Sequence, residues 1–247
     1  MSLTPVPTTR FVLCKTSHAG NVGAAARAIK VMGFGDLVLV APRYDDVLDH
    51  DETVAMASGA TDVLARARVV ASLTEALDGI DHICATAMTP RDFGPPTAAP
   101  RIHFEALTRL GSGGPQAVAF VFGSERFGLA NDDVYRCHQC LSIPAAPGYG
   151  SLNLAQAVQL VAYEWRQALG GYAVVERRAV PALADAPAVQ GLLTHVGEAL
   201  AAIGYLDPAA PKKLLPRLNQ VLNRAQLTQE EVHILRGIAR NLVASKK

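Results

Sequence analysis

The sequence predicts an α/β fold with a parallel sheet, followed by a small helical module, on three observations. Short runs such as LVLV at Leu37–Val40 and AVAFVF at Ala117–Phe122 are apolar at every position, as strands covered on both faces must be. Helix-forming stretches alternate with these runs, the order expected of a parallel sheet with crossover helices. Loops with unusual residues follow Lys15, Thr86, Phe122 and Ile143, and parallel sheets bind ligands beyond the carboxyl ends of their strands.

Taken in order, RFVLCK at Arg10–Lys15 reads as the first strand. The loop TSHAGNVG then leads to a helix over Ala24–Met32, whose AAARAIKVM favours helix strongly. Gly33 and Gly35 stop that helix before the strand Leu37–Val40. Val54–Ala57 and Ala60–Ala65 read as helix, Arg68–Val70 as strand, Leu73–Leu77 as helix and His82–Thr86 as strand. Prolines make Pro90–Pro100 a loop, and Phe104–Leu110 a helix ended by GSGG. Ala117–Phe122 is the clearest buried strand, followed by a helix near Asn131–Arg136 and a strand near Cys140–Ile143. A long helix over Leu152–Leu169 closes this part.

The domain boundaries follow: an α/β domain over 1–169, a linker over 170–188 with few periodic apolar positions, and a helical extension over 189–247. Three short helices are expected in the extension. Thr228 and Glu231 form a capping box before the apolar stripe VHILRGIARNL.

Composition narrows the class. Half of the 247 residues are hydrophobic and 18% are charged, which suits a packed core and excludes extended disorder. The start, MSLTPVPTTR, has no basic region followed by an apolar run, so a cytoplasmic protein is expected. The net charge of +1 is uneven. From Leu192 onward eight Lys or Arg face four acids, giving +4, while the rest carries −3. Such a tail suits phosphate contacts, and equally a solvated helical face. Among the cysteines, Cys137-His138-Gln139-Cys140 has the spacing of half a zinc site but no second pair follows, so plain structural thiols are expected.

Three loops stand out chemically. The first, His18-Ala19-Gly20-Asn21-Val22-Gly23, allows close backbone approach before a helix N-terminus, whether as an anion site or as a tight turn. A dinucleotide site is disfavoured, because G-x-G-x-x-G is not met and no acid follows the next strand. The second, Gly123-Ser124-Glu125-Arg126, places a charged pair directly after a fully apolar strand, so the pair must leave the core at the ligand-binding edge or pair with helix ends. The third, IPAAPGYGSLN at Ile143–Asn153, puts Ser151 where it can cap the following helix.

Together the three loops resemble, in order and spacing, the motifs of the SpoU–TrmH (SPOUT) RNA 2′-O-methyltransferases. TSHAGNVGAAARAIKVMGF matches the first motif, FVFGSERFGL the second and IPAAPGYGSLNLAQAVQLVAYE the third, over about residues 10–167. The tail, through EVHILRG, resembles members that act on the ribose of nucleotide 32 in the tRNA anticodon loop. The resemblance implies a trefoil-knotted sheet, S-adenosyl-L-methionine as methyl donor, tRNA as substrate, and a homodimer in which the first-motif Arg of one protomer reaches the other's cofactor. It implies cofactor contacts at Thr86, Ala87, Met88, Gly123, Ile143, Gly150, Ser151 and Leu152, and catalytic roles for Arg27, Asn21, Glu125, Ser151 and Asn153. Two departures occur: AMTPRDFGPP follows the fourth strand, and Gly150 stands where related sequences often carry a second Ser.

The chemistry asks for alignment of a weakly nucleophilic hydroxyl with an activated methyl, and for stabilisation of charge on the 2′-oxygen. A guanidinium gives up its proton only at very high pH, so Arg27 is expected to orient and stabilise rather than act as base. No metal is needed. Ribosomal RNA as substrate, or a silent RNA-binding protein, are the competing readings.

Overall fold

The computed structural model describes residues 7–175 and 181–245. The chain divides into two compact units, Met1–Ala173 and Val174–Lys247. Residues 176–180 of the expected linker, the first six residues and the terminal lysines lie outside the described residues.

The first unit is built on seven parallel strands in the order β3-β2-β1-β6-β4-β7-β5. They are β1 (Thr8–Cys14), β2 (Asp36–Val40), β3 (Arg68–Val70), β4 (His82–Thr86), β5 (Thr97–Ala98), β6 (Ala117–Phe122) and β7 (Gln139–Leu141). The chain winds outward from β1 through β2 to β3, then crosses back to lay β4, β6 and β7 on the other side. The carboxyl ends of β1, β6, β4 and β7 therefore lie side by side, and the loops singled out in the sequence leave from them.

Alternation along the strands makes two cores. Phe11, Leu13, Leu37, Leu39, Phe120 and Phe122 face one side. There they meet α1 (Ala19–Val31), α3 (Thr61–Arg66), α5 (Pro100–Arg109) and α7 (Leu154–Ala168). Phe104 and Trp165 stack edge-on at 5.2 Å in this layer, and the Trp165 indole N–H donates to Thr9 Oγ1 at 2.9 Å, so the buried polar handle is satisfied. Val12, Val38, Val40, Ala119 and Val121 face the other side. They pack on α4 (Leu73–Ala76) and α6 (Asn131–Val134). Burial on both faces explains why these strands are apolar throughout.

Several boundaries differ from expectation, each for a physical reason. Helix α1 starts at Ala19, not Ala24, so Gly20, Asn21 and Gly23 are helical. The glycines are there because α2 (Asp51–Ala57) crosses so closely: a Cβ on Gly23 would lie 2.0 Å from the Thr53 carbonyl oxygen. Thr53 seals the crossing by donating from Oγ1 to the Ala19 carbonyl at 2.8 Å. Helix α5 begins at Pro100, where proline's missing N–H costs nothing. Inside the expected loop, Thr97 and Ala98 pair with Cys140 and Leu141 as an edge strand. Helix α6 stops at Val134, and β7 runs Gln139–Leu141 rather than onward to Ile143.

The second unit contains α8 (Ala186–Ala202), α9 (Leu214–Ala225) and α10 (Gln229–Ala244). Helix α8 begins inside the expected linker, with the Asp185 side chain accepting from the Ala188 N–H at 2.8 Å. The Thr228–Glu231 capping box of α10 forms as expected. Among the described residues no helix is long and apolar enough to cross a membrane.

Candidate functional site

The loops after β1, β6 and β7 are joined by one directed chain of hydrogen bonds. Glu125, just past β6, can only accept as a carboxylate. It accepts from Asn21 Nδ2 at 2.9 Å, from the Ser17 N–H at 2.9 Å and hydroxyl at 2.8 Å, and from the His18 N–H at 3.3 Å. Asn21 must therefore turn its amide nitrogen to Glu125 and its oxygen away. That oxygen accepts from Asn153 Nδ2 at 2.9 Å. Asn153 in turn has only its oxygen left, which accepts from the Ala155 and Gln156 N–H groups at the start of α7. Donor and acceptor roles are fixed from both ends, so one arrangement of the three side chains satisfies all of them.

The electrostatics follow. Partial burial alone would raise the Glu125 carboxyl, but the hydrogen bonds from Asn21 and Ser17 outweigh burial and hold it below the usual carboxylate range. The group stays ionised. It binds the start of α1, whose first-turn N–H groups favour negative charge, to the loop after β6.

Asn153, not Ser151, caps α7. Its side chain and that of Gln156 form a reciprocal capping box, and the helix starts at Leu154 rather than Leu152. The expectation that Ser151 caps is corrected: Ser151 lies two residues ahead of the N-cap, exposed in the loop.

Beside this chain lies an open cleft of about 390 Å³ over the ends of β4, β6 and β7. Its lining includes Thr86, Ala87, Met88, Gly123, Ile143, Gly150, Ser151 and Leu152, so all eight expected cofactor contacts converge on it, with Glu125 among them. Thr86 Oγ1 donates to the Val121 carbonyl at 3.0 Å, and the Ala87 N–H to the Leu141 carbonyl at 3.1 Å. The wall after β4 is thus pinned to its neighbours. Gly123 lets the loop fold back on itself, since a Cβ there would lie 2.0 Å from the Gly128 carbonyl carbon.

Arg126, which the sequence placed at this edge beside Glu125, also lines the cleft, as does Arg91, which sequence reasoning did not single out. Arg91 donates to Thr89 Oγ1 at 3.2 Å, while its buried Nε has no partner among the described residues. Only its place in a proline-rich stretch after β4 could have hinted at it. Arg27 stands apart: it is exposed on α1, about 9 Å along the helix from Asn21 and facing another direction, and it does not line the cleft. All four cysteines are buried free thiols; burial pushes Cys137 up to about 12.

Comparison with known proteins is consistent along the whole chain. Residues 8–163 match the SpoU rRNA Methylase family model, and residues 187–247 match the model of the tRNA methyltransferase TrmJ C-terminal domain. The tRNA (cytidine/uridine/adenosine-2′-O-)-methyltransferase TrmJ of Pseudomonas aeruginosa is 41% identical over 239 residues, 93% of this chain and 91% of that one. The tRNA (cytidine/uridine-2′-O-)-methyltransferase TrmJ of Klebsiella pneumoniae is 38% identical over 245 residues, 96% of this chain and 97% of that one. Among solved structures, TrmJ from Z. mobilis ZM4 superposes with a TM-score of 0.77 at 31% identity, covering 98% of this chain and 100% of the other. A probable methyltransferase from Bordetella pertussis gives 0.61 at 49% identity, covering 66% and 96%.

Proposed function

The chain belongs to the SpoU rRNA methylase family, and from that premise we propose that it methylates the 2′-hydroxyl of a ribose in tRNA with S-adenosyl-L-methionine as donor. The observation that carries this reading is the convergence of three loops on one cleft beside the Asn153–Asn21–Glu125 chain. The match of 187–247 to a tRNA methyltransferase domain supports tRNA over ribosomal RNA. Within tRNA, nucleotide 32 of the anticodon loop is the proposed target.

The cleft suits the donor. Its volume lies in the range of small-ligand sites. Leu141, Ile143, Leu152 and Leu154 offer apolar walls for an adenine ring, and Arg91 and Arg126 offer positive charge for a carboxylate. When bound, S-adenosyl-L-methionine supplies an electrophilic methyl group on a sulfonium centre. The residues proposed to hold it are Thr86, Ala87, Met88, Gly123, Ile143, Gly150, Ser151 and Leu152. The proposed path through them is a trefoil knot.

The chain's own part is alignment. Glu125 fixes the loop after β6 to the start of α1, and Asn21 and Asn153 carry that constraint to α7, so the cleft walls keep one spacing. Arg27 has no ion pair among the described residues, which leaves its guanidinium available for a phosphate and a developing 2′-oxyanion. Its distance from its own chain's cleft supports a homodimer in which Arg27 serves the cleft of the other protomer. The α/β domain is proposed to carry the chemistry, and the helical extension over 189–247 to hold RNA.

The test is tritium transfer from labelled donor to total tRNA and, separately, to ribosomal RNA, both from a strain lacking this gene, followed by mass spectrometry of the digest. A 2′-O-methylated anticodon-loop nucleotide is expected. Label on ribosomal RNA alone would keep the chemistry and overturn the substrate. No label on either would favour a silent RNA-binding protein.

A further inference from the structure

Away from the cleft, three side chains with metal-ligating atoms converge where β4 meets α5. His82 and Cys84 are two apart on β4 and so share a face of the strand. His103 lies in the first turns of α5 and meets them there. The two imidazoles approach through Nε2 at 3.0 Å, and Cys84 Sγ lies 3.7 Å from His103 Nε2. All three ligand atoms fall within 4.8 Å of one another. A tetrahedral site with ordinary zinc bond lengths has nitrogen–nitrogen edges of about 3.3 Å and nitrogen–sulfur edges of about 3.6 Å. The two observed separations lie close to those edges.

We propose that His82, Cys84 and His103 form a binding site for a borderline-soft divalent cation of the zinc class, tying α5 to β4. Two imidazoles and one thiolate are the donor set that such a cation prefers, and harder cations do not. A simple imidazole–imidazole hydrogen bond would account for the 3.0 Å contact. It gives no reason for a thiol to sit against the same nitrogen. His138 stacks on His82 with ring centroids 5.3 Å apart but is not a ligand. Its Nδ1 accepts from the Ile83 N–H at 3.0 Å, so the neutral ring carries its proton on Nε2 and keeps no lone pair free.

Coordination has a simple balance. Each imidazole enters neutral and donates a lone pair, Cys84 enters as thiolate, and its proton goes to solvent. The cation's fourth position is filled by water, which the partly exposed His82 admits. Burial depresses both histidines and raises the thiol, so the rings arrive ready while the thiol must be deprotonated by the metal itself. Affinity therefore rises with pH. The site braces the base of the excursion between β4 and α5, whose residues Thr86, Ala87, Met88 and Arg91 line the cleft. Cation binding there requires neither methyl donor nor RNA, so it can be measured apart from methyl transfer.

The experiment is titration of the full chain, stripped with chelator, with Co(II), read by visible and near-ultraviolet absorption and back-titrated with Zn(II). One Co(II) per chain is expected, with intense tetrahedral bands and a sulfur-to-cobalt band in the near ultraviolet, all erased by Zn(II). His103→Gln and His82→Gln should each weaken binding by about 100-fold or more, beyond the usual effect of losing an outer-sphere contact. Cys84→Ala should remove the sulfur band. Should Cys84→Ala fail to fold, His82→Gln at the partly exposed rim decides alone. No tetrahedral spectrum, or the same spectrum and affinity in the doubly substituted His82→Gln, His103→Gln chain, would overturn the proposal.

Discussion

Asn21 reaches Glu125 across 104 positions of sequence with a 2.9 Å hydrogen bond, and the direction of that bond sets the orientation of every polar group behind it. Glu125→Gln keeps the size of the side chain but turns one acceptor into a donor. At least one of the Ser17, His18 and Asn21 donors then faces an N–H. A loss of about 1.5–3 kcal/mol is expected in urea unfolding, the range for hydrogen bonds to a charged group. Turnover should fall with it, because the spacing of two cleft walls depends on this anchor. Unchanged stability would mean that the network is decorative.

Asn153 has two separable jobs. Asn153→Ala removes both the helix cap and the link to Asn21, and should cost about 1–2 kcal/mol. Asn153→Asp retains a good cap but presents only acceptors to the Asn21 oxygen, which cannot turn away without facing Glu125. Stability should largely recover in N153D while turnover stays low. Ser151→Ala, by contrast, should leave stability within about 0.5 kcal/mol, as expected of an exposed loop side chain, and should weaken donor binding if Ser151 contacts it. Equilibrium unfolding and donor-binding titrations separate the three.

How much of this was legible follows from where the information sits. Glu125 announced itself because a charge directly after AVAFVF has to leave the core. Asn153 and Ser151 were harder to order, since both residue types cap helices and only the backbone path after Gly150 decides between them. Gly20 and Gly23 read as turn residues because glycine disfavours helix, yet what they satisfy is the close crossing of α2, some thirty residues away. The pairings of β4 with β6 and β7 are non-local and leave no periodic trace. Arg91 lay hidden in a proline-rich stretch whose only visible message was loop.

Gly123 is a site where bulk rather than backbone strain is decisive. Its Cβ would lie 2.0 Å from the Gly128 carbonyl carbon and 2.2 Å from the Leu129 nitrogen, and backbone cannot yield as a side chain does. Gly123→Ala should cost about 1–3 kcal/mol as an overpacking change and displace the loop that carries Glu125. Donor affinity, measured by calorimetry, should drop at least tenfold. Gly128→Ala offers a contrast: its Cβ meets nothing, but its φ of +67° penalises any side chain, so a smaller loss of about 1 kcal/mol is expected.

Arg27 should be nearly silent in stability and loud in rate. It is exposed, so Arg27→Ala should shift unfolding by less than about 0.5 kcal/mol. Donor binding should be unchanged and turnover reduced by about 100-fold or more, the scale for losing one preorganised charge contact. Mixing separates the two geometries. Gly150→Trp fills the cleft at a position where a Cβ makes only ordinary contacts of 3.5 Å with Met88. If Arg27 serves the other protomer's cleft, mixing R27A and G150W chains restores roughly a quarter of the sites, since half of the dimers are mixed and one site in each is complete. If it serves its own, mixing restores none.

The histidine stack gives a pH dependence whose sign can be worked out. Burial, and then the neighbouring His103 and His138, hold His82 at about 4 instead of 6.5, so the folded chain binds its proton later than the unfolded chain does. Between those values the unfolded state carries more protons, and stability must fall as the solution is acidified from about pH 6.5 towards pH 4. A partly exposed ring is screened by solvent, so the loss from His82 is placed at about 1–2 kcal/mol rather than the full shift. His103 is depressed by burial as well and adds to the same window. Urea midpoints of the chelated chain at pH 7.5, 6 and 5 measure it, and His82→Gln should flatten the slope because the substituted side chain cannot titrate. A zinc-class cation should act the other way above pH 6, since it binds only the folded arrangement of the ligands. Equal midpoints at pH 7.5 and 5 would mean that His82 and His103 are solvated enough to titrate normally, and the stack would then be no more than a surface feature.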